Sequence, residues 1–118
     1  MTRAQPSLAP ALAPLPSMSK ISGLASAHAR AVEDVEHCAL VLQGGYLVWR
    51  EATGNEGARI KRGTEIWQAM TDATRDELDY LQQAKRHERR CKAELQAAVS
   101  DEVSRYLAAR IRAWRAKP

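Results

Sequence analysis

TEIWQAMTDATRDELDYLQQAKRHERRCKAELQAAVSDEVSRYLAARIRAWRAK, residues 64–117, runs 54 residues without a glycine or a proline. All six glycines precede it, and the five prolines sit at the two ends of the chain. Gly and Pro cost about 1 and 3 kcal/mol in a helix interior, so their exclusion from so long a stretch implies helix. A single straight helix of this length would reach about 80 Å at 1.5 Å per residue. That is too long for a compact domain of 118 residues. The run therefore breaks and folds back, or it serves as a rod in an oligomer.

Charge order suggests where a break would fall. Asp72, Asp76, Glu77 and Asp79 precede Lys85, Arg86, Arg89, Arg90 and Lys92; Asp101 and Glu102 then precede Arg105, Arg110, Arg112, Arg115 and Lys117. Acid first and base last is the order a helix macrodipole favours, and it occurs twice. Ser100 is a ready N-cap at the junction, so the expectation is two helices, over residues 64–99 and 101–116. Thr64 is placed to cap the first of them, with Glu65 in its opening turn. Along the run Ile66, Trp67 and Met70 make one apolar face. Leu78, Leu81, Ala84, Cys91, Leu95 and Ala98 continue it with Glu88 on the stripe, and Val103, Tyr106, Leu107, Ile111 and Trp114 follow. Trp67, Leu81, Leu95 and Leu107 are the expected buried positions.

Upstream, Ile21, Leu24, His28, Val32, Val35, Ala39 and Leu42 keep 3-4 spacing, which predicts a helix over residues 20–43 ended by Gly44. A rival pairing joins Ala39–Gln43 to Tyr46–Arg50 as a hairpin across Gly44–Gly45. Residues 44–63 form a connector, with a short β-hairpin between Tyr46–Arg50 and Arg59–Lys61 and Trp49 beneath it. Residues 1–17 hold four prolines among Ala, Leu and Ser, and read as an extended arm. The fold class is mainly α: a helical hairpin or small bundle with long helices, carrying that arm.

Aromatic residues are few, with three Trp, three Tyr and no Phe, so the core is thin for the length. A thin core at this size is commonly completed by self-association or a partner. Two cysteines give no disulfide framework, and no stretch approaches the 18 apolar residues of a membrane span. His37, Cys38, His87 and Cys91 are of zinc-ligand type, but adjacent His37 and Cys38 point to different helix sides, so no metal or other cofactor is expected. Gly54-Asn-Glu-Gly lacks the Lys-Ser/Thr of a phosphate loop, and no nucleophile motif stands out. The expectation is a non-enzymatic protein.

Two segments are candidate binding surfaces. Lys85, Arg86, Arg89, Arg90 and Lys92 set five permanent positive charges against the single Glu88. This is either a polyanion contact, with nucleic acid the obvious partner, or a solvated helix balanced by the acids upstream. Tyr106, Leu107, Ile111 and Trp114 make the apolar side of a basic amphipathic segment that can dock on a partner.

Three strings, Gly45–Gly54 (GYLVWREATG), Ile60–Met70 (IKRGTEIWQAM) and Ala84–Arg90 (AKRHERR), resemble small accessory proteins encoded by tailed bacteriophages of GC-rich hosts. The resemblance covers roughly Gly44 to Leu95 and implies a phage or prophage setting; it carries over no activity and no site residues. With the thin core, it leads to the expectation of a virion structural or assembly protein. Such a protein self-associates or binds phage structural proteins, in the virion or the host cytoplasm. The alternative is a small nucleic-acid-binding or host-defence-antagonising phage protein that uses the basic helix face.

Overall fold

The computed structural model describes residues 16–117, with side chains from residue 18 onward. They form three helices: α1 (Pro16–Ala52, 37 residues), α2 (Glu65–Ala73, 9 residues) and α3 (Arg75–Arg115, 41 residues). The mainly helical expectation holds. The arm lies outside the described residues, except that Pro16 and Ser17 begin α1, where a proline needs no amide partner.

Two expected boundaries are corrected. α1 passes straight through Gly44–Gly45 and ends at Ala52, nine residues later than expected. Its stop is Gly54, at φ +74. The Gly54 amide donates to Glu51 O at 3.3 Å and the Asn55 amide to Arg50 O at 2.8 Å. This is the Schellman arrangement, which needs a left-handed residue at that one position. Both β-hairpins are thereby excluded: residues 39–52 are helical, and among the described residues there is no strand. The connector is pinned by Arg50, whose guanidinium donates to Ala58 O at 3.1 Å.

The second correction concerns the break in the long run. It falls at Thr74, not near Ser100, which sits inside α3. Thr64 caps α2 by accepting the Trp67 amide at 3.2 Å. Two threonines then bond back along the helix, Thr71 to Trp67 O at 2.9 Å and Thr74 to Met70 O at 2.8 Å. Such back-bonding weakens and bends a helix. Thr74 leaves helical geometry at φ −109, ψ 24 and is almost fully buried. A Cβ built on Gly45 would lie 3.3 Å from its Cγ2. The break is therefore made where α2 crosses α1, and Gly45 provides the room.

α1 and α3 lie antiparallel: His28 meets Glu88, whereas Gly45 meets Thr74 and Glu77. The α1 seam is Ile21, Leu24, His28, Ala31, Val35, Cys38, Leu42, Gly45 and Trp49, every one buried or half-buried. On α3 it is Glu77, Leu81, Ala84, Glu88, Cys91, Leu95, Ala98 and Glu102, again all at least half-buried. Both follow the alternating 3-4 spacing of coiled-coil pairing. Among the described residues only Ala31, Leu42, Met70, Leu81 and Cys91 form a buried apolar core. Two long helices and the single Met70 of α2 enclose little between them, and this core is as thin as the composition implied. Leu81 is buried as expected, Trp67 and Leu95 are half-buried, and Leu107, expected inside, is 51% exposed.

Candidate interaction surfaces

In the run Lys85–Lys92 the one acid is taken off the basic face. Glu88 occupies a seam position, and its Oε1 lies 2.8 Å from His28 Nε2, with both side chains 25% exposed. Arg86, Arg89 and Arg90 line a shallow open depression with Gln83, on the side of α3 turned away from the seam. Lys85 sits nearer the groove formed with Val32, Val35 and Glu36 of α1. Among the described residues Arg75–Asp72 is the ion pair and His28–Glu88 a hydrogen bond, so none of the five cations is paired. The upstream acids that a solvated helix would use for balance do not reach them. The sequence places His28 and Glu88 on the stripes of their two helices, but only the register of the hairpin joins them.

The distal part of α3 carries the second expected surface. From Val103 to Lys117 every residue is exposed, including Tyr106 (57%), Ile111 (50%) and Trp114 (73%). The hairpin pairing explains why. Glu102 is the last seam residue, roughly level with the start of α1, and the seam spacing then falls on Arg105, Ala109 and Arg112. The apolar stripe Val103, Leu107, Ile111, Trp114 lies about 175° from that line at 3.6 residues per turn, on the opposite side of the helix. Arg110 stacks on Tyr106 at 5.8 Å and donates to its hydroxyl at 3.1 Å. Nothing in the described residues covers this stripe.

A third surface escaped the sequence reading. On the outer side of α1, Leu40, Leu47 and Val48 are each 67–68% exposed and Val41 is 44% exposed. They surround Gly44, around which an added Cβ would meet nothing within 4 Å. With α1 ended at Gly44, this patch could not be seen as one helical face. The available signal was a second 3-4 series, Leu40, Gly44, Leu47, running beside the seam series.

The four ligand-type side chains do not come together. His87 Nε2 lies 3.6 Å from Cys91 Sγ on the same helix, Cys91 is buried, and Cys38 is half-buried on α1. Among the described residues no group of three or more His, Cys, Asp or Glu is placed to hold a metal. No described helix is long and apolar enough to cross a membrane. No family model, no curated protein and no solved structure matches the chain.

Proposed function

We propose that this chain is a non-enzymatic interaction protein, a structural or assembly component of a phage particle that oligomerises or docks on a larger protein. The observation that carries the reading is the pair of uncovered apolar faces, on outer α1 and on distal α3. Exposed apolar groups standing together on a rigid element are the usual mark of a contact surface. A two-helix hairpin also lacks the depth to enclose a substrate, and its depressions are shallow and open. The phage setting rests on the three resembling strings. It places the protein in the virion or in the host cytoplasm during assembly. Quantitative mass spectrometry of gradient-purified particles and of assembly intermediates tests this. The chain is expected in fixed ratio to a capsid, portal or tail protein. Its absence from every such fraction would contradict the reading.

A second reading is favoured by one specific observation, the five unpaired cations of Lys85–Lys92 with Glu88 turned to His28. That face suits a polyanion, and nucleic acid is the partner with matching charge density.

A further inference from the structure

The two uncovered apolar faces differ in the charge around them. On α1, residues 33, 37, 40, 44, 47 and 51 keep 3-4 spacing and so share one side of the helix. That side reads Glu33, His37, Leu40, Gly44, Leu47, Glu51, an apolar centre with an acid at each end. On α3 the segment 103–117 has Arg110, Arg115 and Lys117 flanking its apolar stripe, Arg105 and Arg112 on the far side of the helix, and no acid. Both faces are short straight stretches of helix of similar length.

From this complementarity we propose that the distal α3 face of one copy docks on the outer α1 face of a second copy. The inference rests on the interaction reading and names its partner. Like-on-like pairing is disfavoured by charge. Two distal stripes would bring six flanking cations together with no acid, and two antiparallel α1 faces would set Glu33 against Glu51. Docking within one chain is excluded by geometry. α3 is continuous from Arg75 to Arg115, so its distal part runs on past the start of α1, about 40 Å from Gly44 at 1.5 Å per residue. Gly44 fits the role. Its own fold makes no use of the missing side chain, whereas a crossing helix could approach its backbone closely and seat Trp114 or Ile111 between Leu40 and Leu47. Because the two faces differ, each docked copy still offers one free face, and assembly continues past the dimer unless it closes into a ring.

Two full-length variants test this by sedimentation. One carries Leu47→Glu with Val48→Glu; the other carries Ile111→Glu with Trp114→Glu. All four positions are at least half exposed, and circular dichroism checks that each variant keeps wild-type helicity. The wild type is expected to grow beyond a dimer as concentration rises. Each variant alone is expected to stay monomeric, and their equimolar mixture to form a heterodimer that grows no further. Association of the α1 variant by itself would show distal segments pairing with one another and overturn the proposal. Association of the α3 variant by itself would show α1 faces pairing and overturn it equally. Either result leaves the interaction reading standing. A wild type that stays monomeric would mean that another occupant, the residue 1–15 arm or a foreign protein, covers these faces; it overturns the proposal, and the particle assay then judges the interaction reading. Should a variant unfold, the charge pair Glu33→Lys with Glu51→Lys and Arg110→Glu with Arg115→Glu replaces it. Each of these is expected to weaken wild-type docking, and the mixture of the two to restore it.

Discussion

Gly44 and Gly45 are adjacent and have opposite roles. Gly45 faces the hairpin interior, where Thr74 Cγ2 occupies the space a side chain would take. Gly44 faces out with nothing near it. Gly44→Ala should therefore stabilise the isolated chain by about 0.5–1 kcal/mol through helix propensity. Gly45→Ala gains the same term but presses on a buried threonine, so it should gain less or lose stability; urea unfolding of the two variants decides. Read locally, a glycine pair stops a helix or turns a hairpin. The pair fails to do so here because Leu42 and Trp49 on either side pack into the α3 seam. That packing outweighs a propensity cost of about 1 kcal/mol per glycine. The same tertiary term sets the apolar positions. Leu81 is 8% exposed and Leu107 is 51% exposed, although both sit on apolar stripes of one helix. Leu81→Ala should cost about 2–5 kcal/mol. Leu107→Ala should change the unfolding free energy of the dilute monomer by no more than about 0.5 kcal/mol.

Among the elements, the existence of long helices was legible and their ends were not. The Gly/Pro-free run and the 3-4 spacing of Ile21 to Leu42 carry the helices, and Thr64 before Glu65 marks the start of α2. The break moved from Ser100 to Thr74 because charge order and a capping serine are weak local signals. Two back-bonding threonines, Thr71 and Thr74, the second against Gly45, act together only once α2 is laid against α1. Register was not legible either. It is expressed in His28 and Glu88, two polar residues at facing seam positions, 2.8 Å apart. Polar residues at such positions fix pairing at some expense of stability. Replacing either one alone by Leu should cost about 0.5–1.5 kcal/mol, since its partner loses a hydrogen bond at a half-buried site. His28→Leu combined with Glu88→Leu should leave the melting temperature unchanged or raised, because two packed apolar groups replace a desolvated pair. A double variant less stable than both singles would mean that the pair is not the coupled contact it is taken to be here.

At the scale of the molecule, a hairpin with five buried apolar residues among those described leaves apolar and basic surface open along most of its length. If Arg89 and Arg90 contact phosphates, DNA affinity should fall with salt at about −0.9 per contact on logarithmic axes. Arg89→Gln with Arg90→Gln should then flatten that slope on unrelated sequences alike. The interaction reading expects no such salt-sensitive binding near physiological ionic strength, and gel-shift titration across a salt series checks it. Neither surface could be read fully from the sequence, because whether an apolar stripe is covered depends on what the fold lays over it. The most direct measurement is sedimentation equilibrium of the wild-type chain at micromolar concentration, paired with a thermal melt. A mass above the 13.1 kDa of one chain, rising with concentration together with the melting temperature, is the expected result. A cooperatively melting 13.1 kDa monomer with a concentration-independent melting temperature would contradict association through the open faces.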